Sequence, residues 1–143
     1  MEGISRLFLP GAICEQVLTH ARTSRPYEAV GLLGGLADGQ IRKALPLPNL
    51  ATGTVNFIAD PLAQFLALRR LASEDLKLLA IYHSHPGGGV HPSDADLVFA
   101  RHWSCVQLII AIGEQGIGGE RVRAFHCGKA DSAEQVEVAI VMT

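Results

Sequence analysis

Two histidines one residue apart, His83 and His85, stand at the end of the continuous apolar run 78–82. Such a run marks a strand buried on both faces, and residues i and i+2 of a strand point to the same side. Both imidazoles can therefore aim at one ion, with Ser84 facing the other way. Pro86 stops the strand because it has no N–H for the ladder. Gly87, Gly88 and Gly89 then give the chain room to reverse and to pass close to a ligand. Ser93 and Asp96 open the next helix on the same face of its first turn. Two imidazoles, one carboxylate and an open fourth position form a catalytic zinc arrangement. The metal there lowers the pKa of a bound water toward about 7. Ser-x-x-Asp is also the spacing of a capping box, and Asp96, like its neighbour Asp94, also suits a helix N-terminus through the dipole.

The elements that must hold these groups can be read from periodicity and turn residues. Residues 4–9 alternate loosely as an edge strand closed by Pro10-Gly11. Residues 12–22 place Ile13, Val17, Leu18 and Ala21 on one helical face, and this helix ends before Ser24-Arg25-Pro26. The small apolar stretch 29–36 leads through the turn signal Asp38-Gly39 into a second strand, 40–45. Pro46, Pro48 and Asn49 read as a loop and 54–58 as another strand. Asp60 caps a helix that starts at Pro61 and runs through Leu62, Phe65, Leu66, Arg69 and Leu71 toward Glu74. A helix over 93–102 follows the histidine strand, then strands over 106–112, 120–126 and 136–141. With no repeat and no linker, residues 1–143 read as a single domain. Its class is α/β, an α+β sandwich with a mixed β-sheet flanked by helices.

Composition bounds the rest. Hydrophobic residues are 48% and charged residues 18% of 143, enough apolar material for one core. A net charge of -2 gives no electrostatic reason for a nucleic-acid or anionic-membrane partner. No apolar run reaches the roughly 18–20 residues of a membrane-spanning helix, and the N-terminal stretch lacks the pattern of a signal peptide. A cytoplasmic setting is the expectation. Cys14, Cys105 and Cys127 are odd in number and widely spaced, so they read as packing thiols rather than a disulfide framework or zinc knuckle. The sequence leaves a Cys105–Cys127 bridge open.

His83-Ser84-His85-Pro86, six further residues and then Ser93-x-x-Asp96 resemble the signature of the JAMM (MPN-plus) metallopeptidases. That family includes the proteasome-lid and signalosome deubiquitinating and deneddylating subunits and a set of short bacterial and archaeal proteins; this chain looks like a short prokaryotic-type member. The family also carries a glutamate just before a small apolar strand. Glu28 stands there, in Arg25-Pro26-Tyr27-Glu28-Ala29-Val30-Gly31-Leu32-Leu33-Gly34-Gly35. The likeness covers most of the chain and implies the MPN fold (JAB/MPN-like, cytidine-deaminase-like). It implies one zinc ion per chain on His83, His85 and Asp96. Glu28 would be the general base that later hands its proton to the leaving amine, and Ser93 a donor to the oxyanion.

The implied activity is that of a metallopeptidase or isopeptidase. Its substrate would be the bond after the C-terminal Gly-Gly of a ubiquitin-like or sulfur-carrier protein, with Gly87, Gly88 and Gly89 bordering a narrow groove. The eukaryotic members carry insertions that grip ubiquitin; a chain this short has little room for them, which favours a smaller carrier. Two other readings stay open. One is release of an amino acid such as cysteine from a sulfur carrier during cofactor or cysteine biosynthesis. The other is a metal-binding interaction module without turnover. A zinc deaminase is disfavoured because the Pro-Cys-x-x-Cys ligand segment is missing. His91 lies in the turn but outside the family pattern. His20, His102, His126 and Trp103 read as ordinary helix, strand or core residues.

Overall fold

The computed structural model describes residues 4–93, 96, 105–113, 120–127 and 135–143. Along the chain run β1 (Arg6–Leu9), α1 (Gly11–Ser24), β2 (Val30–Gly35), β3 (Ile41–Leu47), α2 (Pro61–Ser73), β4 (Lys77–Pro86), β5 (Val106–Ile112), β6 (Arg121–Cys127) and β7 (Gln135–Met142). The strands form one seven-stranded sheet in the order β1-β7-β6-β5-β4-β2-β3. β1–β7 and β4–β5 are parallel, and the other neighbours are antiparallel. The sheet is mixed, as the sequence predicts, and β1 is an edge strand.

Residues adjacent along a strand point to opposite faces, and the two faces bury different helices. Leu33, Ala80, Tyr82 and Leu108 pack with Ile13, Val17 and Ala21 of α1 in the larger cluster. Leu32 and Ile81 pack with Ala63, Ala67 and Leu68 of α2 in the smaller one, together with buried Cys105. Cys14 lies half-buried beside the larger cluster. The start of α2 follows its sequence signals: the Asp60 carboxylate accepts from Leu62 N at 2.9 Å and Ala63 N at 3.2 Å, with Pro61 in the first turn. Gly39, with φ of 98°, supplies the left-handed residue of the β2–β3 turn.

Two expectations need correction. Pro46 lies within β3, opposite Gly31, and not in a loop. β3 is an edge strand, where a missing ladder N–H costs nothing to a further neighbour. Residues 54–58 form no strand; they belong to a loop pinned by an isolated bridge between Asn49 and Ala59, with Val55 82% exposed. Among the described residues no strand pairs with them, and a period-two pattern without a partner cannot make a ladder. The helix expected over 93–102 lies mostly outside the described residues, as do Asp94, His102, Trp103 and the Cys127 side chain; Asp96 itself is helical.

Candidate metal centre and active site

β4 is an interior strand held by β2 on one side and β5 on the other. Its register sets His83 opposite Val30 and Ile109, and His85 opposite Ala111. Pairing along both edges fixes the backbone that aims the two imidazoles. Glu28 sits just before β2, which runs antiparallel to β4, so the start of β2 meets the end of β4. Two hydrogen bonds tie them: Ser84 N donates to Ala29 O at 3.0 Å, and Ala29 N donates to Ser84 Oγ at 2.7 Å. On the other side, Asn49 Nδ2 donates to the Glu28 carbonyl at 2.8 Å.

Glu28, His83, His85 and Asp96 converge, with one ligand atom of each within 4.8 Å of the others. Asp96 Oδ2 lies 2.9 Å from His85 Nε2 and 3.1 Å from His83 Nε2, the second contact not aligned as a hydrogen bond. His85 Nδ1 donates to the Gly89 carbonyl at 2.8 Å. This fixes the ring so that Nε2 faces the cluster, the usual device for orienting a ligating histidine. Both ring nitrogens of fully buried His83 and one carboxylate oxygen of Glu28 lack a hydrogen-bond partner among the described residues. Unsatisfied buried polar atoms are costly, and a cation at the focus would satisfy His83 Nε2, the ring nitrogen that faces Asp96. Two imidazoles and a carboxylate suit zinc.

The electrostatics follow from the same crowding. Burial alone would raise the Asp96 carboxyl, but the His83 and His85 rings beside it, the charge of His83 and the Ser93 N–H hold it well below the usual carboxylate range. Burial would lower His85; the Asp96 and Gly89 bonds and the charges of Asp96 and Glu28 outweigh it, so its pKa is raised. Glu28 is pushed up to about 7, first by burial and then by the Asp96 charge, with His85 opposing. A carboxyl with that pKa can both take and return a proton near neutrality.

Ser93 is exposed and outside the four-residue cluster. Its N–H donates to Asp96 Oδ2 at 2.8 Å while its Oγ accepts from Asp96 N at 3.2 Å, the reciprocal pair of a capping box. His91 is exposed, outside the cluster, with Nε2 3.4 Å from Arg123 Nη1.

The sequence pattern of prokaryotic homologues of the JAB domain matches residues 10–127. The chain belongs to that family. The resemblance to JAMM proteins seen in the sequence is thereby borne out. Among curated relatives, a probable TtuB-protein conjugate cleaving protease of Thermus thermophilus is 38% identical over 120 residues, 83% of this chain and 74% of that protein. A desampylase of Pyrococcus furiosus is 28% identical over 106 residues, 74% of each. A solution structure of a Desulfitobacterium hafniense protein superposes with a TM-score of 0.82 at 30% identity, covering 96% of this chain and 92% of that one. The JAB1/MPN domain protein of Archaeoglobus fulgidus gives 0.58 at 20% identity, covering 94% and 99%. The fold is that of the JAB/MPN proteins.

Four further groups shape this JAB-domain site, and three of them, Ser84, Asn49 and Phe57, have no role assigned from the sequence. Ser84 and Asn49 hold the Glu28 segment, the Gly89 carbonyl holds His85, and the Phe57 ring stacks against His83 at 4.9 Å between centroids. Ser84 could have been found, since it alternates with the two histidines and must face whatever neighbours β4. The expected glycine groove has one observed element: Gly87 takes φ of 72° and lets the chain turn back, so that Gly89 reaches His85. No helix among the described residues is long and apolar enough to cross a membrane.

Proposed function

We propose that residues 1–143 act as one zinc-dependent peptidase domain that cleaves the isopeptide or peptide bond after the C-terminal Gly-Gly of a ubiquitin-like carrier protein. The observation that carries this reading is the convergence of Glu28, His83, His85 and Asp96, with partnerless polar atoms at their focus. His83, His85 and Asp96 would hold the ion, which when bound supplies Lewis acidity toward water and the substrate carbonyl. Glu28 takes the proton of the attacking water and delivers it to the amine as the C–N bond breaks. Ser93 offers its hydroxyl to the oxyanion after leaving its cap. The names of the two curated relatives support a conjugate of a small ubiquitin-like protein as the substrate.

A protein substrate also needs a surface to rest on. Ile58, Leu62, Phe65 and Leu66 are each more than half exposed. Leu62, Phe65 and Leu66 share one face of α2. The loop leading into α2 carries Phe57 against His83, which ties the approach to this helix to the metal centre. The apolar face supports docking of the carrier's folded body.

The test is hydrolysis of TtuB joined through its C-terminus to a reporter lysine, by enzyme loaded with zinc. Cleavage after Gly-Gly, lost in Glu28→Gln with zinc still bound, is the expected result. Zinc bound at one per chain with no cleavage by the native enzyme would sink the reading and favour a binding module.

A further inference from the structure

The turn of residues 87–93 serves the metal centre at both ends. The Gly89 carbonyl accepts from His85 Nδ1, and the Ser93 N–H donates to Asp96 Oδ2. Its start is tied down, with Gly87 N donating to Ile112 O at 2.9 Å and Gly88 N to His85 O at 3.1 Å. The run Gly87-Gly88-Gly89 nevertheless gives this backbone unusual freedom. Keeping Gly89 on His85 therefore calls for an anchor further along. Val90 is buried, and exposed His91 reaches a side chain of β6.

Strand register places that side chain. Cross-strand partners share a face, and the row His83, Ile109, Arg123 runs from β4 through β5 to β6. Arg123 thus stands two strand spacings, about 10 Å, from His83 on the face of the metal centre. Its guanidinium grips Glu137 of β7 with two parallel bonds, Nε to Oε2 and Nη2 to Oε1, each at 2.6 Å. The ring of buried Phe125 lies 5.3 Å from Cζ, so the plane of the fork is fixed from two sides. Nη1 remains, and it donates to His91 Nε2 at 3.4 Å, while the His91 ring lies 5.9 Å from that of Phe125 between centroids. We propose that Arg123, held by Glu137 and Phe125, is a positioning residue that pins the 87–93 turn through His91 and so keeps the Gly89 carbonyl on His85. This role rests on the metal-centre reading above for its effect on zinc, and on hydrogen bonds alone for its effect on the His85 ring.

The ring N–H that His85 donates to Gly89 is itself the readout, followed by NMR in the chelator-treated protein. Arg123→Ala and His91→Ala should each speed its exchange with solvent by about fivefold or more, while the backbone amides of β4 and β5 exchange as in the native protein. A zinc titration on the same variants should show affinity lowered by about five- to tenfold. The double variant should lose no more than either single one, because both remove one contact. His91→Gln keeps an acceptor for Arg123 and should stay within about twofold of native in both readouts. Native behaviour of both alanine variants would overturn the proposal. So would His91→Gln as impaired as His91→Ala, losses that add in the double variant, or β4 and β5 amides that speed up in step with the ring N–H. If the native protein takes up no zinc, the metal reading fails instead, and exchange of the His85 ring N–H still decides the role of Arg123.

Discussion

Ser84 and Ala29 exchange two hydrogen bonds, one at 3.0 Å from Ser84 N to Ala29 O and one at 2.7 Å from Ala29 N to Ser84 Oγ. The second uses the side chain that lies between the two histidines on β4. Aiming His83 and His85 at one point therefore also places the residue that fastens the neighbour of Glu28. One strand orients two proposed ligands on one face and anchors the proposed base from the other.

Ser84→Ala leaves the buried Ala29 N–H without its acceptor, which should cost about 1–3 kcal/mol of stability. Glu28 loses its register, so kcat should fall by about tenfold or more, since small misplacements are amplified in the rate. Zinc affinity should change far less, because His83, His85 and Asp96 keep their own supports. Urea unfolding, kcat and a zinc titration on the same variant separate the three effects.

Zinc should bind at one per chain and stabilise the fold. At a thousandfold excess over Kd, mass action gives about 4 kcal/mol, seen as a rise in Tm that a chelator reverses. His83→Ala and Asp96→Ala should each abolish that rise. A rise retained in both would place the metal elsewhere.

The metal-free protein should lose stability as pH rises. The Glu28 carboxyl has its ordinary value of 4.5 in the unfolded chain and about 7 in the fold. The folded state thus binds the proton more tightly, and this contribution, full below the lower value, is lost as pH climbs through the window to the higher one. Glu28→Gln removes the buried charge. It should stabilise the chelator-treated protein by about 1–3 kcal/mol at pH 8 and much less at pH 4. Equal effects at both pH values would argue against a desolvated carboxylate.

Gly31 lies across from Tyr82 in the β2–β4 pair, and a Cβ there would stand 2.3 Å from the tyrosine ring. Gly31→Ala must displace Tyr82, and with it the bond between its hydroxyl and His20 Nδ1. A loss of about 1–3 kcal/mol is expected from overpacking. Adding Tyr82→Leu should recover part of it, read as a coupling in a double-mutant cycle.

Phe65→Asp should leave fold and zinc affinity near native, because the ring is 56% exposed. Its cost should fall on KM for a whole-carrier conjugate, by about tenfold, and not on a short Gly-Gly peptide amide. Equal losses on both substrates would remove α2 from the docking surface.

Where structure is set by neighbours along the chain, it was legible from residues alone. The apolar run before His83, the alternation that separates His83 and His85 from Ser84, the Asp60-Pro61 helix start and the Asp38-Gly39 turn all act over a few residues. The spacing from His83 to Asp96, and Glu28 ahead of a small apolar strand, named the family before any geometry was known. Local pattern failed where the answer depended on distant partners. Pro46 is admitted to β3 only because that strand lies at the sheet edge, and residues 54–58 make no strand because none among the described residues pairs with them.

The sequence by itself determined which residues could hold an ion and which segments carried them. Only the tertiary structure decided that Glu28 joins them, through the bond from neighbouring Ala29 N to Ser84 Oγ that spans 55 residues. It alone showed Gly89 and Asn49 fixing His85 and Glu28. The reason is physical. Periodicity and capping report the energies of near neighbours, whereas convergence is set by strand register and sheet order, which close only when remote segments pair.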